Sequence, residues 1–179
     1  MEGKDDRVRV ALIYGSSRKG RLCDKVAQWA AAQIGGSRRF EVTVVDPMTP
    51  VDIQQRLESA DAFIVVTPEY NHGYPAPLKE LIDSFGAEWH AKPVAFVSYG
   101  GISGGLRAVE QLRQVFAELH AMTIRDSVSF PNAWEQFGEG DRSHDFGRAE
   151  RSMTVMLGRL HWWAVALRIA RSSFSYESA

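Results

Sequence analysis

What this chain lacks narrows its identity first. A single cysteine, Cys23, stands among 179 residues, so no internal disulfide can staple the fold, and the composition fits a reducing compartment. No apolar run reaches the length of a membrane span, and no signal peptide is visible. Neither sign of charge dominates. The 21 basic residues face 22 acidic ones, which removes the bulk electrostatic case for nucleic acid or an anionic membrane surface. Basic and aromatic residues are not interleaved as a single-strand binder requires. His72, His90, His120, His144 and His161 lack ligand spacing with cysteine or carboxylates, so no metal is expected. A nucleophile elbow in Ser-His-Asp order is missing, as is any internal repeat. The expectation is a soluble, cytoplasmic protein of one domain, residues 7–171, between flexible tails at 1–6 and 172–179.

What is present is organised around Asp61 to Phe85. Ala62 to Val66 is a short apolar run, the pattern of a strand buried on both faces. It ends in Pro68-Glu69-Tyr70-Asn71-His72-Gly73-Tyr74-Pro75, a loop of turn formers and ring-bearing side chains. Beyond Pro77 the period changes, and Leu78, Leu81, Ile82 and Phe85 fall on one helical face. Ligands of open α/β sheets bind outside the carboxyl ends of such strands.

The same alternation runs through the rest of the chain. Val8 to Tyr14 is a first strand, followed by Gly15 to Arg21 and a helical pattern that Gly35-Gly36 closes, as glycine does where a left-handed residue is needed. Phe40 to Val45 is a second strand, and Asp52 is placed to cap a short helix through Leu57. Pro93 to Ser98 is a fourth strand, leading into Tyr99 to Gly105 and an amphipathic helix on Leu106, Val109, Leu112, Phe116 and Leu119. Met122 to Phe130 is a fifth strand. Pro131 to Gly147 reads as a surface loop, and a last helix spans about Arg148 to Ala170. Five strand patterns alternating with helices predict a flavodoxin-like three-layer α/β sandwich, its parallel sheet ordered 2-1-3-4-5.

Three loops then fall at carboxyl strand ends. The first, Gly15-Ser16-Ser17-Arg18-Lys19-Gly20-Arg21, is either a plain strand-to-helix turn or an anion site. Its hydroxyls and cations gather where a helix start offers free amides and positive potential. Neither GxGxxG nor GxxxxGK[ST] spacing occurs, so a phosphate monoester is a better guest than a dinucleotide or a nucleoside triphosphate. The loop at Pro68 to Pro75 suits a planar heterocycle with donors and acceptors along its edge. The glycines at 100, 101, 104 and 105 leave backbone amides uncovered.

Those residues carry a resemblance. Gly15-Ser16-Ser17-Arg18 with Arg21, Pro68-Glu69-Tyr70-Asn71 followed by Leu78-Lys79 and Ile82-Asp83, and Gly100-Gly101 with Gly104-Gly105 resemble the NAD(P)H-dependent FMN reductase family. Its flavodoxin-like members include quinone, chromate and azo-dye reductases. Many members have serine where Arg21 stands and asparagine where Cys23 stands. The resemblance implies FMN as cofactor, NADPH or NADH as electron donor, and free flavin, a quinone, an azo compound or a metal oxyanion as small-molecule acceptor in a ping-pong cycle. It implies that Ser16, Ser17, Arg18 and Arg21, with Gly20 in the same loop, hold the phosphate. Pro68, Glu69, Tyr70 and Asn71 would line the isoalloxazine ring, and Ser98, Tyr99, Gly100 and Gly101 its pyrimidine end. Because the flavin carries the chemistry, no catalytic side chain is named. A homodimer or a pair of dimers is expected, with Phe85 and Trp89 as exposed rings at its boundary. The competing reading is a flavodoxin-type electron carrier; such carriers are strongly acidic, and this chain is not.

Overall fold

A computed structural model describes residues 7–138 and 146–176. In chain order the elements are β1 (Val8–Tyr14), α1 (Cys23–Gly35), β2 (Phe40–Val45), α2 (Ile53–Ser59), β3 (Ala62–Pro68), α3 (Ala76–Asp83), β4 (Pro93–Tyr99), α4 (Leu106–Glu118), β5 (Met122–Phe130), α5 (Ala133–Phe137) and α6 (Gly147–Ser173). The strands form one sheet in the order β2-β1-β3-β4-β5, every neighbouring pair parallel. This is the flavodoxin-like arrangement that the alternation of patterns predicts.

The apolar content of the strands dictates the layering. All seven residues of β3 and all seven of β4 are buried, as central parallel strands covered on both faces must be. Val10, Leu12, Ile64, Val66, Ala95 and Val97 point to the face covered by α1 and α6. Ala11, Ile13, Phe63, Val65, Val94 and Phe96 point to the face covered by α2, α3 and α4. Each large side chain buried in these two layers contributes about 1.5–3 kcal/mol of transfer free energy.

Several local expectations are corrected. Trp89, expected at a subunit boundary, is fully buried in a 3-10 turn at Ala87–Trp89. Its ring packs on Phe63 and Phe116 at centroid distances of 4.8 and 5.5 Å, and its indole N–H donates to the carbonyls of Ile82 and Phe85. The apolar surroundings and the two acceptors together make the chain's own core the better home for this amphipathic ring. Phe85 is only half-buried and packs against the same core. Gly36 ends α1 with φ −66°, so neither glycine there supplies the left-handed residue that was expected. Asp52 does precede α2, but at φ 50° and with no side-chain capping bond, and the helix runs on to Ser59. The stretch expected as a loop from Pro131 contains α5, pinned by the buried Ala133 and Phe137; residues 139–145, including His144, lie outside the described residues. The last helix continues to Ser173, and Tyr176 Oη lies 2.9 Å from His120 Nδ1, so ordered chain extends past the expected end at 171. Residues 1–6 and 177–179, the remainder of the expected tails, are outside the described residues.

Candidate functional site

The loop after β1 is pressed against the end of β3. Gly15 N–H donates to Val66 O at 2.7 Å, and a Cβ on Gly15 would stand 2.7 Å from that oxygen, so only glycine permits the approach. Beyond it Ser16 is fully buried, with Oγ 2.8 Å from Tyr70 Oη, while Arg18, Lys19 and Gly20 are exposed. The Arg18 guanidinium lies over the Tyr70 ring at 3.6 Å. Helix α1 then starts at Cys23, and Leu22 before it provides no side-chain cap, leaving first-turn amides without an intrahelical acceptor.

Arg21 does a different job from the expected phosphate contact. Its side chain is 5% exposed and grips Asp46 at the end of β2 with two N–H groups, Asp24 with Nε at 2.8 Å, and the carbonyl of Ser16. Hydrogen bonding to Asp46 raises its pKa further above the ordinary arginine value. Burial pushes the Asp46 carboxyl upward, but Arg21 and the Met48 amide outweigh it and hold that group below the usual range. Arg21 therefore braces the loop from beneath, and Arg18 and Lys19 are left as the cations facing outward.

After β3 the chain makes a tight reversal. Tyr70 and Gly73 exchange both backbone hydrogen bonds, at 2.9 and 3.1 Å, around Asn71 (φ 50°) and His72 (φ 70°). Two consecutive left-handed residues are the signature of a type I′ turn, and neither is glycine here, a strain that turns often keep where a ligand is met. Asn71 and His72 are exposed, and the Asn71 side chain has no partner among the described residues. Glu69 points the other way. Its carboxylate accepts Ser103 Oγ at 2.8 Å, the Arg107 amide at 3.1 Å and the Arg107 guanidinium at 2.7 Å. Burial would raise its pKa, but these donors hold it below the usual range. It ties two loops together, with three of its roughly four acceptor sites taken up by the protein itself.

The third loop depends on Gly105, at φ 85°, where a Cβ would meet Ser98 Cβ and Tyr99 N at 2.8 Å. Gly104 O accepts both Ser98 Oγ, at 2.8 Å, and Ser129 Oγ, at 2.9 Å. Ser98 is thus buried and spent on the loop. Tyr99 is also buried, in the layer under α1, where burial raises both its pKa and that of neighbouring Cys23. Of the expected pyrimidine-end residues only Gly100 and Gly101 reach the rim. Sequence reasoning missed Asp46, Arg107 and Trp134. The first was detectable as a carboxylate at the end of β2, hence on the same rim. Trp134 is 57% exposed, with Cη2 3.6 Å from where a Gly101 Cβ would be.

The donor set fits FMN. An uncapped helix start with Ser17, Arg18 and Lys19 suits a phosphate, and exposed loop edges around Asn71 and Gly101 suit a flat heteroaromatic ring. Among the described residues no group of three His, Cys, Asp or Glu is placed to hold a metal ion, and no helix is long and apolar enough to cross a membrane.

Comparison with known proteins converges on the same chemistry. The pattern of a family described as NADPH-dependent FMN reductase matches residues 8–135. An NAD(P)H-dependent FMN reductase of Schizosaccharomyces pombe is 33% identical over 148 residues, covering 69% of this chain and 74% of that protein. A quinone reductase of Escherichia coli K12 is 29% identical over 140 residues, covering 66% and 74%. Among solved structures, the Paracoccus denitrificans flavoenzyme FerB, an NAD(P)H:acceptor oxidoreductase, superposes with a TM-score of 0.62 at 24% identity, over 89% of this chain and 98% of that one. At that identity the superposition establishes the fold alone.

Proposed function

Because the chain belongs to the NADPH-dependent FMN reductase family, we propose that this rim holds FMN and that electrons pass from NAD(P)H to a small-molecule acceptor in a ping-pong cycle. The chain is an oxidoreductase, with FMN and a reduced nicotinamide nucleotide as its cofactors. The carrying observation is the uncapped start of α1 with Arg18 and Lys19 turned outward and Arg21 locked beneath them. Ser17, Arg18 and the loop amide at Gly20 hold the phosphate. Ser16 and Arg21 shape the loop that presents them. Pro68, Tyr70 and Asn71 line the ring, Gly100 and Gly101 meet its pyrimidine end, and Glu69, Ser98 and Tyr99 fix the loops that carry them. The chemistry FMN supplies when bound is acceptance of hydride and its onward delivery. The protein's share is to orient the ring and to offer backbone amides where charge develops, which needs no titrating side chain.

Relatives named quinone reductase make a quinone the favoured acceptor class. A homodimer remains part of the proposal, supported by the exposed Ile102 and Trp134 beside the rim in place of Trp89. A single species near 20 kDa in sedimentation, with flavin fully bound, removes it. A reducing, cytoplasmic setting, supported by the free and buried Cys23, is checked by cell fractionation.

The central test is affinity. A charge-assisted hydrogen bond contributes about 1.5–3 kcal/mol, so Arg18→Ala should weaken FMN binding roughly ten- to hundredfold in a fluorescence titration. Riboflavin, which has no phosphate, should bind weakly to both proteins. Equal affinity of the unmutated chain for FMN and riboflavin refutes the phosphate assignment.

A further inference from the structure

The turn that presents Asn71 is held from outside its own loop. Helix α4 runs beside it, and Arg107 and Gln111, one helical turn apart, both reach the loop. Arg107 takes the Glu69 carboxylate with its amide and its guanidinium, which anchors the entry to the turn. Gln111 takes the far side. Its Nε2 donates to the His72 carbonyl at 3.0 Å, and its Oε1 lies 3.2 Å from where a Cβ on Gly73 would stand. Both polar atoms of the amide therefore meet the reversal, and the missing side chain at 73 is what leaves room for them.

That grip has something to oppose. Asn71 at φ 50° and His72 at φ 70° both lie in the left-handed region. Glycine adopts that conformation freely, whereas a residue with a Cβ carries a cost there, and a type I′ reversal prefers glycine after asparagine. The two backbone bonds between Tyr70 and Gly73 close the turn but belong to it. Among the described residues, the bond from Gln111 is the one hydrogen bond that His72 receives from outside the loop. Strained conformations of this kind persist where the surroundings over-determine them. We propose that Gln111 is a positioning residue for the bound ring: it holds the Asn71-His72 reversal in its left-handed form and so keeps Asn71 turned outward at the rim. The inference rests on the FMN reading above and adds to it a residue on α4, outside the three loops. Gln111 is exposed, and the core face of α4 is carried by Ala108, Val109, Leu112 and Phe116, so its replacement leaves the packing of the helix intact.

The test is fluorescence titration of the unmutated chain and of Gln111→Leu with FMN and with riboflavin. Leucine keeps much of the stem and removes the donor. Loss of one net hydrogen bond corresponds to roughly fivefold in affinity, and both flavins should weaken by that same factor because they share the ring. The ratio of the two affinities should then stay as it is in the unmutated chain, whereas Arg18→Ala changes it. In a His72→Gly background the left-handed position carries no cost, so there Gln111→Leu should change FMN affinity by less than about twofold. The urea midpoint should not move, since the residue is exposed. An FMN affinity in Gln111→Leu within about twofold of the original overturns the proposal, as does a loss confined to FMN or an undiminished loss in the His72→Gly background. FMN binding by the unmutated chain keeps the two readings apart. Tight binding that Gln111→Leu leaves unchanged refutes this inference alone, whereas an unmutated chain that binds neither flavin refutes the reading beneath it.

Discussion

At the amino ends of the strands, Asp61 is 3% exposed and gathers cations from three directions. Arg9 reaches it with its amide at 3.0 Å and Nε at 3.2 Å, Arg168 at 3.5 Å and Arg171 at 3.9 Å. Lys92, beside them, gives its ammonium to the carbonyls of Leu57 and Glu58 at the end of α2. At the carboxyl ends, Arg18, laid over the Tyr70 ring, and Lys19 are exposed above an uncapped helix start, with no ion pair among the described residues. The two ends hold the same kinds of side chain in opposite states. Where donors and acceptors close on one another, charge contributes to the fold. Where donors are left over, it is available to a guest. Arg21 sits at the working end but belongs to the closed kind.

The comparison breaks most visibly at Asp61. Removing Asp61 takes away its charge-assisted hydrogen bonds, while the arginines left behind are 54%, 30% and 21% exposed and partly solvated, so the cost is about 1.5–3 kcal/mol. Asp61→Ala should lose that much in urea unfolding while FMN affinity changes less than about twofold. Its pH signature has a definite sign. Burial pushes the Asp61 carboxyl up, but Arg9 outweighs it and the group lies below its ordinary value. Its stabilisation is therefore present above the unfolded pKa of about 3.9 and is lost as pH falls through the lower folded value. A variant with intact stability and weakened FMN binding would erase the distinction between the two ends.

Arg21 sharpens it. Arg21→Ala strands the Asp46 carboxylate and should cost about 2 kcal/mol of stability. It should also weaken FMN roughly tenfold, because the loop that presents Ser17 and Arg18 loses its brace. Arg18→Ala, by contrast, should leave the unfolding midpoint within about 0.5 kcal/mol of the original, as exposed substitutions do. Arg21→Lys should recover little, since an ammonium cannot grip Asp46, Asp24 and a carbonyl in one planar fork. An Arg21→Ala protein of unchanged stability and reduced FMN affinity would return Arg21 to the phosphate.

The sheet was legible because period and burial leave little choice: the apolar run from Pro93 to Val97 in β4 suits a strand covered on both faces. The three loops were legible because strand ends in a parallel sheet share a rim. What a side chain does within a loop was not. Glu69 and Asn71 are two apart in the same loop, yet one is spent on Arg107 and the other faces out, and only the third dimension says which. Trp89 misled for a related reason. Its sequence neighbours are polar, and the Phe63 and Phe116 rings that bury it lie 26 and 27 positions away. Trp134 was missed because it lies in a stretch of charge and glycine that resembles solvent-exposed loop.

The smallest expected effect again concerns the closed end. Burial, reinforced by nearby Arg171, lowers the Lys92 pKa to about 8, while the unfolded chain restores a value near 10.5. Below about pH 8 both states hold the proton and the burial cost of the ammonium is present in full. Between that pH and about 10.5 the unfolded state binds more protons, so this residue makes stability rise with pH. Cys23 and Tyr99, whose values burial raises, act in the opposite sense, so the total profile is not diagnostic. The difference between the unmutated protein and Lys92→Met is. From pH 7.5 to 9.5 the unmutated chain should gain on the variant by about 1 kcal/mol in urea unfolding, an amount that assumes partial relaxation around the ammonium. Methionine retains most of the apolar stem while leaving the carbonyls of Leu57 and Glu58 without their donor, so the variant should be the less stable of the two at both pH values. A gap that stays constant with pH would mean that Lys92 keeps its proton throughout, held by those two carbonyls more firmly than burial opposes it.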